Sequence, residues 1–496
     1  MPAFKSRLLK NSFFNSFGWA ATLLINLAAI PIIIRHLGVD GYGVYALLTG
    51  IFGYFGLLDF GLSDGVVKYV SHYTQVQDSA SLTHSINAAL LMQLIVGSVG
   101  VVFLCVFNGL IIHLFRVPGP LIHAASMSLY LSAAGFLVKM LLNTYNATLR
   151  GLQRFDVLTN LTVSFSILVT VTVVSVLLLG GGLFAVIVAT TIVTSANFVV
   201  ALNLTRRLVP SYALSFAVKW THVRTLFSFG TYVFVSRVAS TLNSYFLQVI
   251  IAIIAGPASV TYFAVPLKLT SAMEGAFGSI IGVIFPHISA LTAEGKTRAM
   301  RQLYAKASKY VVALSTPVFL FVIIFSRQIL SVWLGDAFAG RSWAVLTFLS
   351  CASLLAVWTM VPANTIYGTG DTKIAATFGS IVIALNLLLS ILLTLRYGII
   401  GTGAAVLITA IQGPFFIWYV TKQVVGVPGK EYFERVFAFH VIPAISFCSA
   451  GLVFLELLHS LDIRGSVTAL AVGASLCVLY YSVLLRFGIV SLSEIW

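Results

Sequence analysis

Long apolar runs separated by short polar segments follow one another along almost the whole chain. Each run has roughly the 20 residues that a helix needs to cross a bilayer. The runs are continuous and do not alternate with polar residues, which excludes the strands of an outer-membrane barrel. The pattern therefore predicts an all-α polytopic membrane protein with about 14 transmembrane helices. They are placed at 11–35, 42–70, 84–114, 121–148, 157–180, 183–205, 227–254, 261–290, 307–325, 342–367, 374–395, 401–421, 436–458 and 465–486.

Composition supports the membrane assignment. The chain is 59% hydrophobic and 9% charged, with a mean hydropathy of +1.02, whereas soluble domains carry about 25% charged residues. All four cysteines lie in apolar runs and far apart, as expected of buried thiols and not of disulfides or metal ligands. The sequence contains no phosphate-binding loop, metal-ligand spacing or nucleophile motif, which excludes an ATPase within the chain.

The distribution of positive charge predicts the orientation. Twenty of the 29 lysines and arginines fall on the side that holds the N-terminus, and six fall on the other. Cytoplasmic loops collect Lys and Arg, so both termini are predicted to be cytoplasmic. This also explains most of the net charge of +15 without a nucleic-acid partner. Three cations, Lys139, Arg237 and Lys268, lie within predicted spans, and topology does not account for them.

The segment 37–62 is the most distinctive part of the sequence. A turn with glycines, residues 38–41, is predicted to connect the first two spans. The second span then carries Asp59, which is followed by Phe60 and Gly61. A carboxylate placed deep in a membrane helix is costly and indicates either a function or a buried partner.

An internal repeat appears when this turn is used as a probe. Residues 37–47 align with 255–265 at an offset of 218, and the same offset places Asn146 on Asn364. Residues 182–186 resemble 401–406 in the same order. Two six-helix repeats of equal orientation are therefore predicted, related by an axis along the membrane normal. The predicted organisation is an N-lobe over 1–212, a C-lobe over 213–425 and two additional spans over 426–496.

The intramembrane cations are the candidate substrate-binding residues. A cationic cavity between the lobes would receive an anionic headgroup, and we assign this role to Arg237, Lys268 and Lys139, with Arg35 at the outer end of the first span. The structural alternative is that these cations only pair with Asp59, Asp64 or Glu274, or extend to the headgroups.

Asp59 and Glu274 are the candidate ion-coupling residues, because a carboxylate in a cavity can bind and release protons. A salt bridge to one of the three buried cations is the alternative for each acid. No catalytic or metal-binding residue is predicted.

Two connections on the predicted cytoplasmic side are long and basic. Residues 205–228 and 292–310 both mix basic with apolar residues, which suits helices lying in the interface. Binding to anionic lipid headgroups and simple orientation signals both explain them.

Several short motifs resemble those of bacterial polysaccharide transporters. They are Leu37-Gly38, Tyr42-Gly43, Leu58-Asp59-Phe60-Gly61-Leu62, and Phe285-Pro286-His287-Ile288-Ser289 followed by Gly295-Lys296. Such transporters include the O-antigen (lipid-linked oligosaccharide) flippases of the MATE-like multidrug/oligosaccharidyl-lipid/polysaccharide (MOP) superfamily. The resemblance implies two six-helix lobes around a central cavity and alternating access coupled to a proton or sodium gradient, with no cofactor. It also implies cavity cations that hold the pyrophosphate of an undecaprenyl carrier.

The expected function is that of a flippase and not of an enzyme. It would move an undecaprenyl-pyrophosphate-linked oligosaccharide, the repeat unit of O-antigen (lipopolysaccharide) or a related surface polysaccharide, across the bacterial inner membrane. Expected partners are this substrate, membrane lipids, and a polysaccharide polymerase or assembly proteins. Alternatives in the same superfamily are a flippase for a lipid II-type precursor, which the extra pair of spans resembles, and a drug/ion antiporter. A membrane-embedded glycosyltransferase or polymerase would need large extramembrane loops, which this sequence lacks.

Overall fold

The structure, a computed structural model, describes residues 2–54, 59–215, 220–282, 284–370, 372–460 and 465–486. Within these ranges, the side chains of residues 2–21, 51–54, 220–222, 225–245, 285, 286, 372–376 and 459 lie outside the description. The regular elements in the described ranges are all helical. They are α1 (Pro2–Tyr54), α2 (Leu62–Gln75), α3 (Ser79–Val106), α4 (Asn108–Leu114), α5 (Gly119–Gly151), α6 (Phe155–Leu178), α7 (Leu183–Leu208), α8 (Trp220–Ile281), α9 (Ile284–Ala293), α10 (Thr297–Ile324), α11 (Ser326–Leu334), α12 (Asp336–Thr369), α13 (Thr372–Ala410), α14 (Gln412–Tyr419), a π-helix (Val420–Val425), α15 (Gly429–Val436), α16 (Ala438–Ser460) and α17 (Ser466–Arg486).

The number of membrane-crossing helices agrees with the sequence pattern. Among the described residues, 11 helices are long and apolar enough to cross a bilayer. Three of them, over Thr22–Gly50, Phe246–Ile281 and Thr377–Val425, bend at a glycine, and each overlaps two predicted spans. The 11 helices therefore accommodate the 14 predicted spans.

Two of these bends are the hairpins predicted from the repeat. Gly38 has φ 73° and ψ 172°, and Gly256 has φ 79° and ψ 175°. This backbone region is essentially restricted to glycine, since a Cβ would clash there. The predicted four-residue turn is wrong in its length: residues 39–41 are already helical, and the chain changes direction at Gly38 alone. A single glycine is enough to redirect the chain here, because only Gly38 departs from helical φ and ψ.

Further backbone breaks recur at the same spacing of 218 residues. Helix α3 stops at Phe107 (φ −93°, ψ 10°) and α10 stops at Phe325 (φ −99°, ψ 20°), and each is followed by a short helix, α4 or α11. Gly180 and Gly398 both have a positive φ. The predicted duplication is confirmed by breaks that the sequence comparison did not use.

A close helix crossing is also duplicated. A Cβ added to Gly151 would lie 2.8 Å from Cβ of Val70, and one added to Gly368 would lie 2.8 Å from Cγ2 of Ile288. Val70 and Ile288 are again 218 residues apart, and the two glycines are 217 residues apart. The absence of a side chain at each glycine lets the second and fourth helices of each repeat approach closely. The close approach strengthens the van der Waals attraction between the two helices.

The chain divides into two compact units, Met1–Thr261 and Tyr262–Trp496. The lobe limits predicted at residues 212 and 425 are a division by repeat and stay a prediction. In the first unit, one buried cluster surrounds Ile86 and Tyr145, and a second surrounds Leu48 and Leu129. In the second unit, the main cluster surrounds Tyr304 and Val357.

The two additional C-terminal spans, α16 and α17, pack on α10. Phe447 and Tyr480 share a buried cluster with Ala313. The hydroxyl of Tyr481 donates to the carbonyl oxygen of Leu314 at 2.8 Å, close to Pro317, which interrupts the hydrogen bonding of α10. The additional pair is therefore an integral part of the second unit.

The predicted interfacial helix at 292–310 is wrong. The connection between α9 and α10 is short, and residues 297–310 form the first turns of the spanning helix α10. Side chains from these turns hold the π-helix: Arg301 Nε donates to Val425 O at 2.8 Å, and the hydroxyls of Tyr304 and Thr421 lie 2.7 Å apart. Burial raises the pKa of the neighbouring Tyr432, which keeps this hydroxyl neutral. Arg301 therefore stabilises the C-terminal end of the π-helix.

Candidate functional site

The two hairpins meet, at the ends predicted to face outward, in a contact that follows the repeat, which we call the outer hairpin contact. A Cβ on Gly43 would overlap the carbonyl oxygen of Pro257. The hydroxyl of Thr261 donates to the carbonyl oxygen of Val39 at 2.6 Å. Residues 39 and 43 correspond to 257 and 261 at the 218-residue offset, so the two contacts exchange under the repeat. The hairpins thus meet as a two-fold pair, and the approach of their backbones depends on the missing side chain at Gly43.

Asp59 lies at a break in the second span and not within a continuous helix as predicted. Residues 59–61 are not α-helical, Phe60 and Gly61 have φ values of 48° and 70°, and α2 begins at Leu62. Asp59 contacts the first turn of α2 through Ser63. The carboxylate accepts from the amide of Ser63 at 3.1 Å and from its hydroxyl at 2.8 Å.

A third donor reaches Asp59 from α3. The side-chain amide of Gln93, which is fully buried, donates to Oδ1. Asp59 itself is 5% exposed. No described cation forms an ion pair with it, so among the described residues its charge is stabilised by neutral donors and by the start of a helix.

Lys139 lies on a polar stripe that runs along α5. The members follow one another at spacings close to two helical turns or one, which puts them on one face. They are Ser128, Ser132, Lys139, Asn143 and Asn146. The two serines are fully buried, with no partner for their hydroxyls among the described residues. Further along the same face, Lys139 is exposed.

Lys139 is far from both ends of its helix. It lies 12 residues before the end of α5, or about 18 Å along the axis. No described acid forms an ion pair with it. The face that carries it is buried and polar toward the outer end and open at Lys139, as expected of a helix that lines a cavity.

Lys268 lies on an open face of α8 that is built from small residues. It is exposed, and so are Ser271 and Ser279 on the same side, with Gly275 between them half-buried. Lipid-facing helices expose large apolar side chains, as α3 does at Val99, Val102 and Phe103. The open face of α8 therefore has the composition of a cavity wall, and Lys268 is about 18 Å beyond the kink at Gly256.

The remaining candidates have simple surroundings. Glu274 is half-buried and accepts a hydrogen bond from the hydroxyl of Ser353. Arg35 is exposed, three residues before the kink at Gly38. The side chain of Arg237 lies outside the described residues. The assignment of the four cations to substrate and of the two acids to ion coupling stays a prediction.

The structure adds polar residues that the sequence reasoning missed. Gln93 lies in an apolar span, as do the α5 residues Ser128, Ser132 and Asn143, whose one-face spacing was readable from the sequence. Asn26 of α1, which the sequence already placed on a polar face of the first span, pairs with Thr170 of α6, with 2.5 Å between Oδ1 and Oγ1. This pair joins two membrane-spanning helices through neutral side chains.

Together these features define an integral membrane transporter. The helices are duplicated, two of their hairpins meet as a pair, and two lysines, Lys139 and Lys268, lie on exposed faces far from the helix ends. The sequence profile of a family described as polysaccharide biosynthesis protein matches residues 8–292. The chain belongs to this family.

Relatives of known assignment agree with that membership. A protein of Shigella flexneri assigned as an O-antigen transporter is 22% identical over 425 residues, which cover 84% of this chain and 98% of the relative. A protein of Haloferax volcanii assigned as the low-salt glycan biosynthesis flippase Agl15 is 23% identical over 384 residues, covering 77% and 76%. These names agree with the expectation that the chain is a transporter and not an enzyme.

Solved structures identify the fold. The lipid II flippase MurJ in an inward closed conformation matches with a TM-score of 0.77 at 14% identity, covering 96% of this chain and 100% of the other. An inward-facing multidrug resistance MATE transporter of the MOP superfamily matches with a TM-score of 0.65 at 16% identity, covering 81% and 96%. The predicted MATE-like fold is confirmed.

Proposed function

We propose that the protein is a flippase that moves a lipid-linked oligosaccharide across the membrane. The substrate we infer is an undecaprenyl-pyrophosphate-linked repeat unit of O-antigen or a related surface polysaccharide. The location we infer is the bacterial inner membrane, with both termini cytoplasmic. The family membership and the relatives' assignments as an O-antigen transporter and a glycan flippase support this proposal.

The observation that carries the mechanism is the pair of exposed lysines, Lys139 and Lys268, on helix faces without large apolar residues beside them. A lysine that faced the bilayer centre would cost about 2.5–3.5 kcal/mol on insertion scales. A lysine in an aqueous cavity can instead bind the pyrophosphate of the carrier. The prenyl chain would remain in the lipid.

Alternating access would require the outer hairpin contact to open. Gly43 and Thr261 hold the hairpins together on the predicted outer side, so release of the substrate to that side needs their separation. For coupling to a proton or sodium gradient we favour Glu274 over Asp59. Among the described residues, the oxygens of Asp59 accept from three donors, whereas Glu274 accepts from the hydroxyl of Ser353 alone.

The test is export of surface polysaccharide in a bacterial strain that lacks its own O-antigen flippase. The Lys139→Ala, Lys268→Ala double variant is expected to reduce export at least tenfold at equal protein level. Lys139→Arg with Lys268→Arg should restore much of it. Lys430→Ala, which removes a lysine from the exposed helix α15, is the matched control and should export normally. Undiminished export by the double alanine variant would contradict the proposal.

A flippase for a lipid II-type precursor is the second candidate. The fold match to MurJ extends over 96% of the chain and so includes the two additional C-terminal helices. Competition between the two lipid-linked substrates in a binding assay with the purified protein separates the candidates. Preference for the peptidoglycan precursor would replace the first assignment.

A further inference from the structure

A second polar site lies apart from the lysine-bearing faces, at the end of the first unit that is predicted to face outward. A cavity of about 610 Å³ opens beside the short helix α4, between that helix, the start of α5 and the end of the first half of α8. Its lining includes Asn108, His113, Arg116, Ile122, Ser126 and Ile253. Nothing in the proposed transport mechanism uses these residues.

The cavity exists because α3 breaks at Phe107 and restarts as α4. Asn108, the first residue of α4, is 2% exposed and ties the helix to α5. Its side-chain amide donates to Ser126 O at 3.0 Å, and the Ser126 hydroxyl donates back to Asn108 Oδ1 at 2.7 Å. This reciprocal pair fixes the floor of the cavity. The site is therefore held by hydrogen bonds between two helices, α4 and α5.

The rim of the cavity is cationic. Arg116 follows α4 in a left-handed conformation, with φ 50°, and its amide donates to the carbonyl oxygen of His113 at 3.0 Å. Both side chains are exposed, and neither makes a hydrogen bond or ion pair with a described side chain. No acid lines the cavity. A guanidinium that bonds to no described side chain can bind a phosphate group through two donors, and His113 lines the same cavity.

The walls of the cavity are apolar and continue into the lipid-facing surface. Leu114, Ile122 and Ile253 line it and are 42%, 46% and 38% exposed. From its edge, a strip of exposed side chains runs back along α4 and α3. It consists of Leu110, Val106, Val102 and Val99, which are 52–69% exposed. A ligand seated here would place a polar head at Arg116 and a hydrocarbon chain along this strip.

We propose that this cavity binds the phosphate group of a lipid in the outer leaflet. The chemistry required is a phosphate on an amphiphile, and two membrane sources supply it: an ordinary anionic phospholipid and a prenyl phosphate carrier. If the prenyl phosphate carrier binds, the cavity is a binding site for the carrier on the side where the flippase releases its substrate. This assignment to the carrier rests on the proposed function. The phosphate site itself does not, because its residues are separate from Lys139 and Lys268.

The experiment is a titration of the purified full chain in a neutral detergent with three probes. They are undecaprenyl phosphate, phosphatidylglycerol and inorganic phosphate. Arg116→Gln with His113→Gln is expected to weaken lipid binding at least tenfold, because two charge-assisted or strong hydrogen bonds are lost. Both residues are exposed, so the variant should unfold at the temperature of the unmodified protein.

Two further variants test whether the loss of binding is specific to the cavity. Arg327→Gln removes an exposed arginine from α11, the repeat counterpart of α4, and should bind both lipids normally. Ile122→Glu places a carboxylate in the cavity and should weaken lipid binding without removing a cation. The titrations are repeated with Lys139→Ala and Lys268→Ala present, so that binding to the transport site does not hide the cavity. Failure of the proposed function would leave this signal in place.

The outcomes separate the sources of the ligand. Stronger binding of undecaprenyl phosphate than of phosphatidylglycerol, lost in the cavity variants, supports the carrier. Equal binding of the two lipids, lost in the same variants, supports a general lipid phosphate site. Inorganic phosphate that binds as tightly as either lipid would overturn the amphiphile assignment. Lipid binding unchanged in both cavity variants would overturn the site.

Discussion

The two repeats share their backbone but not their charges. Bends or breaks recur 218 residues apart at Gly38 and Gly256 and at Phe107 and Phe325. In contrast, the candidate charged residues have uncharged counterparts at the same offset. The pairs are Asp59 and Phe277, Lys139 and Val357, Lys268 and Gly50, Glu274 and Gly56, Arg237 and Trp19, and Arg35 and Ile253.

This difference separates architecture from chemistry. A backbone break that occurs in both repeats is part of their shared helix packing, because it is kept although the neighbouring side chains differ. A charge that occurs in one repeat only is not needed for that shared packing. Its cost in a membrane must therefore be offset by a local partner or by a substrate. Asp59 has local partners, whereas Lys139 has none among the described residues, and this distinguishes their expected roles.

The largest effect is expected from removing a charge that the second repeat lacks. Lys139→Val gives the first repeat the residue of the second. Transport should fall at least tenfold, because the substrate loses a charge-assisted contact. The unfolding temperature should change little, since the lysine side chain is open and unpaired. Transport rates and thermal unfolding of the same preparation check both parts.

The outer hairpin contact is predicted to tolerate no side chain. In Gly43→Val the new atoms overlap the backbone of Pro257, which cannot move aside as a side chain would. The expected loss is about 3 kcal/mol in the free energy of unfolding, together with loss of transport. Gly340→Ala is the control, because a Cβ at Gly340 meets nothing within 4 Å. Normal stability of the Gly43 variant would show that the hairpins do not meet as described.

The duplicated helix crossing is expected to respond equally in both repeats. Gly151→Ala and Gly368→Ala each force a shift against a β-branched neighbour, Val70 or Ile288. Each should cost about 1–2 kcal/mol, and the two losses should agree within about 1 kcal/mol. Denaturant unfolding of the single variants measures them. A large loss of unfolding free energy in one repeat and none in the other would show that the two repeats share their backbone course but not the packing at this crossing.

The smallest effect is expected at Asp59. Asp59→Asn keeps an acceptor for Ser63 and should cost less than about 1 kcal/mol, whereas Asp59→Ala removes the hydrogen bonds to Ser63 and Gln93 and should cost about 1–2 kcal/mol. Transport by the Asn variant should remain close to normal if Asp59 is structural. Loss of ion coupling in a correctly folded Asn variant would instead give Asp59 the role that the sequence first suggested. Helical content and transport, measured together, separate these cases.

The helical fold, the number of spans and the repeat were predictable because hydrophobic length and glycine placement are local signals. Gly38 and Gly256 are recognisable in sequence because glycine is favoured where the backbone must take this conformation. The break at Phe107 was not recognised, since phenylalanine is compatible with a continuous helix. The break before α2 was not predicted either, since an acid in an apolar run indicates a membrane charge, whereas Asp59 bonds to Ser63 in the first turn of α2.

The direction in which a spanning helix faces was not predictable from composition. Hydropathy is the same for a side chain buried in protein and for one in contact with lipid, so Val357 and Val99 look alike in sequence although the first is buried and the second is exposed. The cavity at Arg116 was missed for this reason, because the sequence placed that arginine only in an outer connection. The polar stripe through Lys139 was readable from its spacing, which fixes one helix face.

The most direct test of the account is translocation by the purified protein in lipid vesicles. A fluorescent undecaprenyl-pyrophosphate-linked oligosaccharide is placed in one leaflet, and its arrival in the other is followed by accessibility to a membrane-impermeant quencher. The unmodified chain is expected to equilibrate the lipid at least tenfold faster than protein-free vesicles, and Lys139→Ala with Lys268→Ala is expected to return the rate toward the protein-free value. Equal rates for the unmodified and the double variant protein would contradict the central claim that the unduplicated lysines hold the substrate.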